Sequence, residues 1–377
     1  LAQSKKCKNL FVCPGNAGTS EIATNLEIAV TDFESIKDAV IKHKIEMVIV
    51  GPEAPLVEGI KEYFEFDDKL NQVSVIGPSK NASRLEGSKV FAKEFMKRHN
   101  IPTAKYSEFD SRSIQKGLDF LETMTPPFVL KADGLAAGKG VLIIDNINDA
   151  KLELEAMLIN KKFGKASEQV VIEEFLDGIE LSCFILTDGD TGITLPMAKD
   201  YKRIGEKDTG LNTGGMGAVS PVPFADKDFI EKINDRIIKP TLLGLKKDKL
   251  KYEGFIFIGL INVNGDPKVI EYNVRMGDPE TEVVIPRIKN DMVSIFEATA
   301  NKTLNKIKLD VDSRIATTVM SVSGGYPESY EKGREISGIR DVKDSIVFHS
   351  GTAIKDKKTI TSGGRVLTVT GLGENME

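Results

Sequence analysis

The stretch KADGLAAGKGV, Lys131 to Val141, sets Gly134, Gly138 and Gly140 between and beside two lysines, Lys131 and Lys139. Such a loop suits phosphate, because glycine lets backbone N–H groups approach an anion and lysine adds charge. The fold turns on which kind of loop it is. A Walker A loop separates its glycines by four residues and follows its lysine with a hydroxyl. Here three residues separate Gly134 from Gly138, and Gly140 stands where Ser or Thr would ligate magnesium. PFVLK before the loop and GVLIID after it are both β-like, so no helix N-terminus waits for the anion. The stretch therefore reads as a hairpin tip between two strands, closing over a nucleotide from above.

Downstream, VIEYNVRMGDPETEV (269–283) reads as a strand whose alternate side chains Glu271, Asn273 and Arg275 share one face. A carboxylate and an amide oxygen suit a hard cation such as magnesium, completed by substrate phosphates. Arg275 would meet the charge of a transferring phosphoryl group. VVIEEFLDGIELS (170–182) reads as strand, bend and strand, with Glu173 and Glu174 flanking a site for a nucleotide base and Glu180 in reach of ribose. An ordinary hairpin carrying surface acids is the competing interpretation. AKDYKRIGEKDTGLNTGGMGAVSPVP (198–223) reads as a long polar loop with a basic entry and backbone-rich glycines, fit for a small anionic substrate or simply a surface loop. PGNAGT (14–19) is either a phosphate-binding turn or a tight strand-to-helix connection.

The remaining pattern organises these pieces. Over 1–80, short β-like runs ending in Gly/Pro turns alternate with helical stretches, which predicts a small parallel α/β domain. Residues 83–99 predict one amphipathic helix, 127–200 a β-rich region broken by a helix at 147–160, and 226–247 a long helix. Two helices at 280–303 precede a β-rich end. With 377 residues, 41% hydrophobic and 28% charged, the chain has room for two or three domains with a large core. A net charge of −5 argues against a nucleic-acid partner. Three scattered cysteines and three isolated histidines supply neither a disulfide framework nor a zinc or His-based catalytic set. The longest apolar run, GFIFIGLI, is far short of a membrane span. The expected setting is the cytoplasm, without a membrane partner, and a monomer is expected.

Taken in order, PGNAGT, GPEAPL, LEGSKVFAKEFM, KADGLAAGKGV, IEEFLDGIE, DYKRIGEKDTGLNTGGMGA, IEYNVRMGDPETE and GGRVLTVTGLG resemble the glycinamide ribonucleotide synthetase family of ATP-grasp enzymes over nearly the whole chain. The resemblance implies an α/β fold, α+β in parts: an N-terminal parallel α/β domain (1–80), an ATP-grasp domain (81–303) with a lid at about 104–176, and a small β-rich C-terminal domain (304–377). It implies ATP and Mg2+ (or Mn2+), with glycine and 5-phosphoribosylamine as substrates. ATP would be held by Lys89, Lys131, Gly138, Lys139 and Gly140, by the Glu173, Glu174, Phe175 and Leu176 hinge, and by Glu180. The metal would sit on Glu271 and Asn273, with Arg275 and Lys131 acting on the phosphoryl group. The other substrates would meet Gly15, Asn16, Glu53, Asp200, Asn212, Thr213, Gly214, Gly215 and Asp278.

Two departures accompany the resemblance. GFIFIGLINV, the strand before the metal strand, carries no acid where many ATP-grasp relatives place one. The chain opens at LAQSKKCKNLFV, after the point where the family has a first strand and a GGREHAL-type loop, so a missing first strand is expected. Another ATP-grasp carboxylate–amine ligase, such as a formate-dependent one, and a non-catalytic nucleotide-binding relic are the alternatives.

Overall fold

The computed structural model describes residues 1–135, 140–207 and 209–375. Gly138 and Lys139 lie outside them. The hairpin expected around the opening stretch is present: Phe128–Ala132 and Val141–Ile144 pair antiparallel, with Lys131 opposite Val141. They belong to a four-stranded antiparallel sheet in the order Tyr106–Asp110, Gln169–Glu174, Phe128–Ala132, Val141–Ile144. The two-residue period of a strand divides this sheet, the candidate lid, into faces. Phe128, Leu130, Val170 and Ile172 pack with Leu121, Leu154 and Met157 of the helices Ile114–Glu122 and Ile147–Leu158 into one apolar cluster. Lys131 and Glu173, one residue out of phase, point the other way and line the main cleft of the molecule.

Below that cleft lies a second sheet, ordered Gly192–Thr194, Ile179–Thr187, Gly254–Val263, Asp266–Asn273. Its last pair contains a bulge: Glu271 sits opposite Gly259 and Val269 opposite Leu260, which leaves Ile270 extra. The carbonyl of Ile270, on that irregularity, accepts the Lys131 ammonium at 3.3 Å. The bulge thus ties the metal-strand candidate to the lid sheet.

A third sheet runs Lys199–Gly205, Thr209–Ser220, Ile315–Val322, Arg365–Gly373, Ser345–His349, and so joins strands from both sides of residue 304. At the N-terminal end, Met47–Ile49 and Ser74–Ile76 pair parallel across the helices Glu53–Glu58 and Ile60–Glu65. Phe11–Val12 pairs parallel with Thr24–Asn25 in a separate sheet. Among the described residues no helix is long and apolar enough to cross a membrane.

Two local expectations are corrected. The helix predicted over 83–99 is two helices, Arg84–Gly87 and Lys89–Arg98, broken at Ser88. Ser88 is extended (φ −144°, ψ 115°) and its hydroxyl caps the second helix by accepting from the Phe91 N–H at 3.1 Å. The polar stretch 198–223 is no structureless loop but a two-stranded ribbon, Lys199–Gly205 with Thr209–Ser220. Its glycines weaken strand propensity, but the register is held from the side, where Gly217–Ser220 pairs with Ala316–Val319.

Candidate active site

The cleft has a volume of about 980 Å³, and charged side chains reach it from several elements beside apolar ones such as Phe255, Phe257 and Met292. From above come Lys131 and Glu173 of the lid sheet, and Lys89 from the first turn of Lys89–Arg98. Lys89 donates to the Gly134 carbonyl at 3.1 Å, and Asp133 accepts from the Val90 N–H at 3.1 Å and the Ser88 hydroxyl at 3.2 Å. The base of the glycine-rich loop is therefore fastened to a helix N-terminus by both strands of contact. Gly140 also lines the cleft.

From below come Glu271 and Asn273. Burial works against the charge on Glu271, yet the ammoniums of Lys202, Lys131 and Lys89 outweigh it and hold the carboxyl below its ordinary range. The Asn273 side chain also hydrogen-bonds Glu271. Among the described residues no group of three His, Cys, Asp or Glu could hold a metal. The donor set still fits a divalent cation of the magnesium type: an ionised carboxylate and an amide oxygen, both hard, with the other positions left to phosphate and water.

Arg275 follows the strand's last residue, Asn273, so it leaves the ladder while still facing the cleft. Its guanidinium donates to Glu86 at 2.8 Å, to Glu53 at 3.2 Å, to the Met276 carbonyl at 3.1 Å and to the Asn273 amide oxygen at 3.4 Å. Glu53, expected to touch substrate, thus meets Arg275. Glu180, expected on ribose, is not among the residues that line the cleft; it accepts from the Lys202 ammonium at 2.6 Å. Asp200 is buried beside Lys202 at 3.7 Å, and its pKa is raised by that burial. Burial opposes the Lys202 charge, but Asp200, Glu180 and Glu271 together raise its pKa.

The strand–bend–strand pattern read at 170–182 is present, since one strand ends at Glu174 and the next starts at Ile179. Glu174 turns outward and accepts from the Lys105 N–H at 3.0 Å, while Phe175 is exposed and Leu176 half-buried. Gly214 and Asp278 line the cleft. Arg365 fixes both by donating to the Gly214 and Asp278 carbonyls, each at 2.8 Å. Thr213 donates to the Lys202 carbonyl at 2.8 Å and accepts from the Gly215 N–H at 3.0 Å. Gly215 has φ +122°, and a Cβ there would lie 2.3 Å from Pro279 Cδ, so its role is close passage of two chains. Asn212 is exposed, opposite Arg203.

Gly15 and Asn16 are not brought to the cleft. Gly15 has φ +81° and would strike Asn25 with a Cβ, the signature of a tight turn. The Asn16 amide donates to the His349 carbonyl at 2.6 Å and its oxygen accepts from the Thr19 N–H at 2.9 Å. PGNAGT is thus a turn that latches the N-terminal part to the C-terminal strands.

The cleft also holds groups that the sequence did not single out: Lys93, Glu86, Glu280 and Glu282. Lys93 had a signal, its i, i+4 spacing from Lys89, which puts both on one helix face. Burial pushes the carboxyls of Glu86 and Glu282 up to about 7, and that of Glu280 up as well. Glu282 Oε2 is buried with no hydrogen-bond partner among the described residues. In the folded state this carboxyl keeps its proton to higher pH than in the unfolded chain, so the stability it contributes by staying neutral is lost as pH rises from about 4.5 through about 7. Glu282→Gln should therefore match the wild type near pH 5 and exceed it at pH 8 by roughly 1–3 kcal/mol. Thermal unfolding at the two pH values checks this, and an equal effect at both would mean the carboxylate is solvated.

Comparison with known proteins bears on this cleft as a whole. Residues 1–86, 87–281 and 316–377 match the models described as phosphoribosylglycinamide synthetase N domain, ATP-grasp (A) domain and C domain. A phosphoribosylamine–glycine ligase of Caldanaerobacter subterraneus subsp. tengcongensis is 42% identical over 375 residues, covering 100% of this chain and 88% of that protein. A bifunctional purine biosynthetic protein of Pichia angusta is 44% identical over 384 residues, and the chain spans 48% of its length. The crystal structure of a phosphoribosylamine–glycine ligase from Thermotoga maritima superposes with a TM-score of 0.85 at 35% identity, covering 100% of this chain and 89% of that one.

Proposed function

This chain belongs to the phosphoribosylglycinamide synthetase family, and on that premise we propose that its cleft joins glycine to 5-phosphoribosylamine at the expense of ATP. The product is glycinamide ribonucleotide, with ADP and phosphate released, a step of purine biosynthesis. The observation that carries the reading is the convergence, in one cleft, of two lid-side lysines with a carboxylate, an amide and a guanidinium from a single strand and its exit.

A carboxylate does not acylate an amine at neutral pH, because oxide is too poor a leaving group. In the first step a glycine carboxylate oxygen attacks the γ-phosphorus of ATP, and the bond from that phosphorus to the bridging oxygen breaks, leaving glycyl phosphate and ADP. In the second, the amine nitrogen of phosphoribosylamine attacks the acyl carbon, the carbon–oxygen bond breaks, phosphate leaves and the nitrogen gives up a proton. The protein's part is positioning and charge. Lys89 and Lys131 hold phosphate oxygens from the lid side, and Arg275, already oriented by Glu86 and Glu53, faces the transferring phosphoryl. Glu271 and Asn273 would hold magnesium or manganese, whose charge offsets that of the phosphates when it is bound. The Glu173–Leu176 hinge takes the adenine edge, and exclusion of water from the cleft preserves the acyl phosphate.

The test is ADP and phosphate release with ATP, glycine and 5-phosphoribosylamine together, against formate in place of glycine. Glycine alone should also scramble the β,γ-bridging oxygen label of ATP into non-bridging positions. Absence of scrambling in an enzyme that turns over would overturn an acyl phosphate formed before the amine arrives.

A further inference from the structure

Lys93 lies 2% exposed in the helix Lys89–Arg98, with no solvent to compensate its charge. Its ammonium meets Glu173 Oε2 at 2.9 Å and donates to the Thr103 hydroxyl at 2.8 Å. Thr103 in turn donates to the Val269 carbonyl at 2.7 Å, two residues before Glu271 on the same strand. The second oxygen of Glu173, itself 3% exposed, faces the Lys131 ammonium at 3.1 Å. One carboxylate is thus shared between two lysines from different elements, where three elements of the cleft meet.

Desolvating three charges is costly, and apolar residues of similar volume would serve packing as well or better. Charge counting shows what the arrangement does supply. With both lysines present, the trio carries one net positive charge and Glu173 is pulled from two sides, so Lys131 keeps part of its capacity for phosphate. With Lys93 absent, Glu173 and Lys131 neutralise each other and no positive charge is left over for the nucleotide.

We propose that Lys93 is a positioning residue for ATP: by holding Glu173, it sets Lys131 where the nucleotide phosphates arrive. This rests on the reading of the cleft as an ATP site. Burial lowers the Lys93 pKa to about 8, partly countered by Glu173, which is in keeping with an ammonium that is retained only because its partner is close.

The experiment measures binding of ATP with magnesium chloride, together with the KM for glycine and kcat, in wild type, Lys93→Met, Lys93→Arg, Glu173→Gln and the Lys93→Met/Glu173→Gln double variant. Lys93→Met is expected to weaken ATP binding about tenfold, with glycine KM and kcat changed less than about threefold, and Lys93→Arg to restore most of the loss. In the Glu173→Gln background, Lys93→Met should cost little more, because its path to Lys131 is already cut. Unchanged ATP binding in Lys93→Met overturns the proposal, as does an arginine variant as weak as the methionine one. If Lys93→Met does not fold, Lys93→Gln, which keeps a polar group beside Glu173 and Thr103 but no charge, carries the test, with lowered ATP affinity at unchanged glycine KM expected and near wild-type affinity overturning it. Failure of the wild type to bind ATP would instead refute the reading of the site.

Discussion

Glu271→Ala is expected to lower kcat by on the order of 10³-fold or more while leaving ATP binding intact or tighter. The two effects diverge because of what surrounds the carboxylate. Lys202, Lys131 and Lys89 together hold Glu271 ionised against its burial. Removing this anion raises the positive potential facing ATP, a polyanion, so ground-state binding has no reason to suffer. What is lost is the ionised oxygen proposed to fix the divalent cation, and with it alignment of the γ-phosphoryl. The activity that remains should need more magnesium for half-activation. Without nucleotide the variant should also unfold at lower temperature by roughly 1–3 kcal/mol, since three lysines lose their shared counter-charge, and added ATP should recover that loss. Turnover within a few-fold of wild type would remove Glu271 from the metal site.

The parts of this site that were legible in the sequence are those where local pattern and final geometry coincide. Glycine spacing and β-like flanks were enough to tell a strand-flanked loop from a Walker loop, and Lys131 does stand opposite Val141 on paired strands. Alternation along a strand put Glu271 and Asn273 on one face, and both line the cleft. Arg275 faces the cleft for a different reason than alternation, because the strand ends at Asn273 and the chain then turns.

What stayed hidden is pairing over long sequence separations. Glu53 and Glu86 hold Arg275 across 222 and 189 residues, and Asn16 bonds the His349 carbonyl across 333. Nothing local to PGNAGT distinguishes an anion-binding turn from a latch, since both need the same glycine conformation. The ribbon at 199–220 was hidden for a related reason. Its own residues favour loop, and the strand that fixes it, Ile315–Val322, lies about a hundred residues later. Lys93 was hidden by type, because a lysine on an amphipathic helix is ordinarily solvated.

Arg275→Ala should reduce kcat by about 10²–10³-fold with ATP and glycine KM nearly unchanged, because the guanidinium is placed for charge that develops in transfer. Its orientation is fixed beforehand by Glu86 and Glu53, and only 27% of the side chain is exposed, so little ordering is left to the moment of reaction. The same partners make the variant a test of its own interpretation. Burial pushes the Glu86 carboxyl up to about 7, and Arg275 is the chief influence pulling it back. Without the guanidinium the Glu86 pKa must rise further. The folded state then holds a proton over a wider range than the unfolded chain, and stability relative to wild type should fall progressively as pH rises above 7. Adding Glu86→Gln removes that titrating group and should abolish the pH-dependent loss of stability, yet leave kcat low. Arg275→Lys should not rescue kcat, since one ammonium cannot span two carboxylates and the Asn273 oxygen with the geometry of a planar fork. Recovery of kcat in the Arg275→Ala/Glu86→Gln double variant would mean that Arg275 serves only to neutralise Glu86, and an effect confined to glycine KM would make it a substrate anchor instead.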